Sequence, residues 1–176
     1  MSFISKGVVF GFVAMTLVVI TSNILVQYPI NDWITWGAFT YPIAFLVTDI
    51  TNRAMGAKRA RLVVYCGFAL AVCLSVFFST ARIAIASGTA FLIAQLIDVR
   101  LFDYLRNSNR WWVAPLFSSG VGSIVDTTLF FSIAFAGLGL PWITWGVGDL
   151  AVKMTVAFVM LIPFGVILKL RLLERA

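Results

Sequence analysis

No histidine occurs anywhere in the 176 residues. That absence removes Ser-His-Asp and Cys-His nucleophilic sites, histidine-ligated haem and His-rich metal sites. Cysteine is nearly as scarce: Cys66 and Cys73 lie inside one apolar stretch and read as small packing residues. No metal and no cofactor is expected. Charge is short too, at 11% of residues against about a quarter in soluble globular chains. No Walker-type phosphate loop is present either, so the chain carries no motif for nucleotide hydrolysis of its own.

What fills the sequence instead is apolar, at 61% of residues. A helix needs about 20 mainly apolar residues to cross a bilayer, and six such stretches fall near 7–27, 37–55, 61–81, 87–106, 112–136 and 142–168. The expectation is an all-α integral membrane protein, a single domain over 1–176 with six transmembrane helices. "QYPINDW" (27–33), "MGAKRAR" (55–61), "RNSNRWW" (106–112) and "AGLGLPW" (136–142) punctuate them. The third and fourth stretches meet near "STARIAIASG" (79–88).

Lys and Arg beside transmembrane helices stay preferentially in the cytoplasm. Lys6, the cluster Arg53, Lys58, Arg59 and Arg61, the pair Arg106 and Arg110, and Lys169, Arg171 and Arg175 all fall on one side of a six-helix arrangement. The other side holds Arg82 and Asp32. Both termini are therefore expected in the cytoplasm, and the net charge of +6 reads as contact with anionic membrane lipid rather than nucleic acid. Residues 1–22 also fit a signal peptide, but no small-x-small cleavage pattern ends the run, so it reads as the first helix.

The informative residues are polar groups inside these stretches: Asn23 and Gln27 in the first, Thr48 and Asp49 in the second, Gln95 and Asp98 in the fourth, Ser119, Ser123 and Asp126 in the fifth, Asp149 and Lys153 in the sixth. Their similar depths suggest one shared cavity. Residues three or four apart share a helix face. Gln95 with Asp98 form one such line, and Ser119, Gly122, Ser123 and Asp126 another. Asp49 with Arg53 and Asp149 with Lys153 are i,i+4 pairs of opposite charge. Such groups can glue helices together, and Gly120 and Gly122 can allow close packing. Arg53, Arg100, Asp103 and Arg106 read as anchors near the cytoplasmic face. Asp98 differs because no opposite charge shares its face, and a charge inside the bilayer costs at least ~2.5 kcal/mol on insertion scales, which marks it as a site residue.

Three long segments carry a resemblance. "TWGAFTYPIAFLVTDITNRAMG" (35–56), "LIAQLIDVRLFDYLR" (92–106) and "FSSGVGSIVDTTLFF" (117–131) resemble the signatures of the queuosine-precursor transporters, also called the vitamin uptake transporter family. The likeness runs over nearly the whole chain. It implies a bacterial inner-membrane, multi-pass protein that imports deazaguanine bases, chiefly 7-cyano-7-deazaguanine and 7-aminomethyl-7-deazaguanine, for salvage into the tRNA nucleoside queuosine. The positions carried over are Asn23, Thr48, Asp49, Gln95, Asp98, Ser119 and Asp126. Many relatives have an acid where this chain has Arg53, which leaves Arg53 outside the implied site.

Chemistry suits such a ligand. A guanine-like base presents adjacent N–H donors beside a carbonyl, so a carboxylate can take the donors while an amide or ammonium meets the carbonyl. Asp98 and Gln95, facing Asn23 or Lys153, supply that set. Phe39, Tyr41, Phe45, Phe91 and Trp145 are candidates for stacking on the base. Asp49, Asp98 and Asp126 are candidates for a proton relay, with sodium coupling and facilitated diffusion equally compatible with the residues. A bundle this small could form a homodimer through helix-packing faces.

Two other readings compete. "GVGD" (146–149) matches the GxGD element of intramembrane aspartyl proteases, but the Pro-Ala-Leu element that accompanies it is missing. A substrate-capture subunit driven by a separate ATPase also fits six small helices. The resemblance favours a transporter, not an enzyme.

Overall fold

The computed structural model describes residues 3–25, 28, 30–31, 34, 36–78 and 80–173, and the side chains of these except 3–5, 23, 75, 76, 78 and 171–173. The described residues are mostly helical, with no strand among them. Seven helices follow one another: α1 (Phe3–Leu25), α2 (Gly37–Thr40), α3 (Ile43–Met55), α4 (Ala57–Phe78), α5 (Ala81–Leu105), α6 (Val113–Phe135) and α7 (Trp142–Leu173). Among the described residues, three helices are long and apolar enough to cross a membrane: α5, α6 and Trp142–Leu170 of α7. The sixth apolar stretch thus extends beyond residue 168.

The helix expected over 37–55 is two pieces. Pro42 has no N–H to return to the preceding turn. Ala44 and Phe45 instead bond the carbonyls of Tyr41 (3.0 Å) and Pro42 (3.1 Å), three residues back, which tightens the chain between α2 and α3. The short α2 is held from outside, with the Ser22 hydroxyl of α1 donating to Thr40 Oγ1 at 3.0 Å.

Two other boundaries differ from those read in the sequence. Gly56, at φ 85°, ends α3 in a conformation that β-carbon-bearing residues rarely adopt, and α4 starts at once, four residues before the expected 61. Its first five residues include Lys58, Arg59 and Arg61. On the other side, Thr80 caps α5, its hydroxyl oxygen accepting from the Ile83 N–H at 3.4 Å. That cap starts α5 at residue 81 rather than 87.

Helix α3 lies at the centre, against α1, α4 and α5 and also touching α6 and α7. Helices α5 and α6 pack along each other, and α7 lies on α6. An apolar core joins Met15 and Val19 of α1 to Ala44 of α3, Ala60, Val63, Val64 and Ala71 of α4, and Phe91 and Val99 of α5. On α3 the usual logic is inverted, because Thr48, Asp49, Thr51 and Asn52 are buried alongside Ala44 and Phe45. Large apolar side chains such as Phe10, Phe77, Phe158 and Ile162 face outward, as lipid-facing side chains do.

Arginines tie the ends of these helices. Arg82 of α5 donates from Nε to the Ile133 carbonyl (2.8 Å) and from Nη2 to that of Ala136 (2.6 Å), closing the C-terminal end of α6. At the opposite end, Arg53 Nη1 donates to the Arg106 carbonyl (2.6 Å) and Arg106 Nη2 returns a bond to that of Arg53 (3.4 Å). Asp103 pairs with Arg106 at 3.1 Å, and Arg100 is exposed. The i,i+4 pairing of Asp49 with Arg53 suggested by spacing is not made. Arg53 caps α5, while Asp49 turns to serines of α6.

Of the two glycines in "SSGVGS", only Gly122 is a close contact. A β-carbon there would lie 2.6 Å from a Phe45 ring carbon and 3.4 Å from Asp98 Cβ, whereas at Gly120 it would meet only Met154, at 3.9 Å. Gly122→Ala is expected to destabilise the protein by about 1–3 kcal/mol through overpacking. Gly120→Ala should be near neutral, and thermal unfolding of the two purified variants in detergent checks the contrast.

Candidate functional site

The buried polar groups form two clusters rather than one. The first lies where α3, α5 and α6 meet. Thr48, Gln95 and Asp98 are 0% exposed, Asp49 is 2% and Ser119 7%. Ser118 Oγ donates to Asp49 Oδ1 (3.3 Å) and Ser119 Oγ to Asp49 Oδ2 (3.1 Å). The Asp98 carboxyl also lies near Asp49 and Ser118. Thr48 Oγ1 sits 2.9 Å from Gln95 Oε1 and 3.3 Å from Asp98 Oδ2, while also touching the carbonyls of Ala44 (3.1 Å) and Phe45 (2.9 Å). A hydroxyl has one hydrogen to donate, so these acceptors compete for it.

Acceptors therefore outnumber donors. Ionised Asp49 and Asp98 accept only, and the hydroxyls around them cannot serve every lone pair. Four fully buried side-chain atoms of this region have no hydrogen-bond partner among the described residues: Asn52 Oδ1, Gln95 Nε2, Asp98 Oδ1 and Ser123 Oγ. Buried polar atoms in native proteins are nearly always bonded. Orphans on three helices packed against one another mark a region built to receive polar groups from elsewhere. Phe45 closes over this region, packed against Gly122.

The second cluster lies on α6 one stripe further on, seven residues or about 10 Å along the helix from Ser119. Lys153 of α7, 4% exposed, is bonded to Asp126 Oδ2 (2.7 Å), Asp149 Oδ2 (2.5 Å) and Thr127 Oγ1 (3.1 Å). Thr127 also donates to Asp149 Oδ2 at 2.8 Å. Tyr41, at the α2–α3 break, donates its hydroxyl to Asp126 Oδ1 (3.0 Å), and its ring lies 5.4 Å from the Lys153 ammonium. Two carboxylates share one ammonium here, and three elements converge on it.

The structure thus brings Thr48, Asp49, Gln95, Asp98 and Ser119 together and places Asp126 and Lys153 in a neighbouring cluster. The Asn23 side chain and Gln27 lie outside the described residues. Asn52, which donates Nδ2 to the Val99 carbonyl at 2.9 Å, and Ser118 were not singled out from sequence. Asn52 stands three residues after Asp49, a spacing that puts both on one face. Of the candidate stacking aromatics, Phe45 and Phe91 are fully buried, Tyr41 packs edge-on to Phe91, and Phe39 is exposed.

Residues 35–81 and 74–168 match the family described as vitamin uptake transporters. The chain belongs to that family. It is a family of transporters, not enzymes, and Asp149 of "GVGD" is accordingly held by an ammonium rather than by the second carboxyl an aspartyl protease requires. The chain is 35% identical over 185 aligned positions, covering 89% of this chain and 84% of the relative, to a protein of Escherichia coli named "Queuosine precursor transporter". It is 36% identical over 160 positions, 76% of this chain and 68% of the relative, to a "Probable queuosine precursor transporter" of Haemophilus influenzae. A Bacillus subtilis protein with the same name as the latter is 27% identical over 131 positions. No solved structure matches. The matched segments include every residue of the α3–α5–α6 cluster.

Proposed function

We propose that this member of the vitamin uptake transporter family imports queuosine precursors, deazaguanine bases such as 7-cyano-7-deazaguanine and 7-aminomethyl-7-deazaguanine, across a bacterial inner membrane. The observation that carries this is the set of orphaned atoms around Asp98. A guanine-type edge brings adjacent N–H donors and a carbonyl. Asp98 Oδ1 and Asn52 Oδ1 offer acceptors for the former, and Gln95 Nε2 a donor for the latter. A region rich in acceptors suits a ligand that brings donors. The names of the relatives point to the same class of ligand. Lys153, already bonded to Asp126, Asp149 and Thr127, supports the neighbouring cluster rather than the base edge.

Uptake of labelled base by the purified chain alone in liposomes tests this reading. Both precursors should compete with the label. Adenine should not, because its edge pairs an amino donor with a ring acceptor that would face a carboxylate. A buried polar group left unsatisfied costs about 1–3 kcal/mol, roughly 5- to 150-fold in affinity. Guanine should compete weakly, since its N7 acceptor replaces a substituted carbon. Equal competition by adenine would overturn the edge reading.

The proposal carries six spans, with α2 and α3 together making one, and both termini in the cytoplasm. Its support is the basic character of the 53–61 and 106–110 segments and of the C-terminal end of α7, with Lys169 and Arg171. In a cysteine-free background, a membrane-impermeant thiol reagent added outside should label Asn31→Cys and miss Lys58→Cys. The reverse pattern would invert the orientation.

A further inference from the structure

Four carboxylates are buried or nearly so in the described bundle, and one ammonium. Lys153 serves Asp126 and Asp149. Asp49 and Asp98 have no cation: no salt bridge reaches either among the described residues, and their carboxyl groups lie near each other, with Ser118 and Ser119 on Asp49 and Thr48 on Asp98.

The charged and titratable groups on every element packed against them are engaged or turned away. On α3 itself Arg53 is bonded to the Arg106 carbonyl. On α5, Arg100 and Asp103 are exposed. On α6, Asp126 belongs to the Lys153 cluster, as do Asp149 on α7 and Tyr41 before α3. Lys6 of α1 and Lys58 and Arg61 of α4 are exposed, and Arg59 stands in the first turn of α4. Cys66, the half-buried thiol of α4, carries no charge as a thiol.

Two adjacent carboxylates without a counter-ion cannot both stay ionised at such a place. Their geometry indicates what neutralises them. Asp98 Oδ1 is fully buried and has no donor among the described residues, and Asp49, which could supply one, can do so only as the acid.

We propose that Asp49 and Asp98 form the coupling site of this transporter, sharing one proton that enters from outside water, crosses with each base, and leaves to the inside. The only bond made and broken is one carboxyl O–H. Asp49 as the acid donates to Asp98. A carboxylate offers about four acceptor positions, and Thr48 and the shared proton use two of those on Asp98, leaving others for the N–H groups of a base. Substrate and proton thus meet on one side chain. This proposal rests on the base-transport reading above for its cargo but not for its proton.

Two measurements separate the two. Infrared spectra of the purified chain in detergent, at neutral pH and without substrate, should show a protonated-carboxyl carbonyl band that shifts on deuteration. Asp49→Asn should remove the band, and Asp49→Glu should retain it at a shifted frequency. A band unchanged in Asp49→Asn, or no such band in the native chain, overturns the shared proton. In liposomes of the native chain, an inward proton gradient should accumulate 7-cyano-7-deazaguanine several-fold, with one proton entering per base. That base has no charge of its own to confuse the count. Accumulation driven by a sodium gradient and indifferent to the proton gradient overturns the coupling. A chain that takes up no base under any gradient refutes the base reading, and the infrared band still decides whether the pair holds its proton.

Discussion

Asp98→Asn is expected to reduce base uptake by roughly 5- to 150-fold or more while the protein remains inserted at near-native levels. The carboxamide keeps the volume of the carboxylate, so Gly122 and Phe45 pack as before. What changes is polarity: one acceptor oxygen becomes an NH2 group, aimed at the N–H donors of the bound base. The loss of one satisfied bond is worth about 1–3 kcal/mol, with more for a charged acceptor, which sets the range. Arg100→Lys is the control, because Arg100 is exposed on the same helix. Uptake rates normalised to membrane abundance check the contrast. Equal loss in both variants would show that the helix tolerates no change, rather than that Asp98 holds the ligand.

The second large effect belongs to the other cluster. Lys153→Met leaves Asp126 and Asp149 buried beside each other without their shared ammonium, and breaking a buried ion pair by deleting one partner costs about 3–5 kcal/mol. Set against a total stability of about 5–15 kcal/mol, that is enough to lower membrane abundance and the unfolding temperature together. The triple variant Lys153→Met with Asp126→Asn and Asp149→Asn should recover most of the loss, since no uncompensated charge remains. Recovery of stability without recovery of transport would mean that the triad does more than hold α6 to α7. A single variant as stable as the native chain would mean that water reaches these carboxylates.

Much of the site was legible because spacing on one helix is a local property. Gln95 with Asp98 and the line Ser119, Gly122, Ser123 and Asp126 were read as common faces. All lie inward. Similar depth along the helices, and then the family resemblance, placed Thr48 and Asp49 of α3 with them. What escaped was the choice of partner across helices. Asp49 and Arg53 satisfy the i,i+4 rule, yet two serines of α6 reach Asp49 first and a free carbonyl at the end of α5 draws Arg53 away. Asp149 and Lys153 do pair as spaced, but the stripe on α6 gave no sign that Asp126 would take the same ammonium, which divides one expected cavity into two clusters. The division at Pro42 was legible in principle, since a proline withdraws an N–H from any helix it interrupts.

The arginine ties at the helix ends bear on how the site can be reached. Helix α5 is riveted at both ends, to α6 through Arg82 and to α3 through Arg53 and Arg106, so the three helices carrying the orphaned atoms behave as a braced frame. Prising that frame apart severs charge-assisted bonds to backbone carbonyls, each worth about 1.5–3 kcal/mol. Helices α1 and α4 meet it largely through aliphatic side chains such as Met15, Val63 and Val64, with the Ser22–Thr40 hydrogen bond tying α1 to α2. The hinge of least resistance is therefore on the greasy flank of the frame, not across its polar seam.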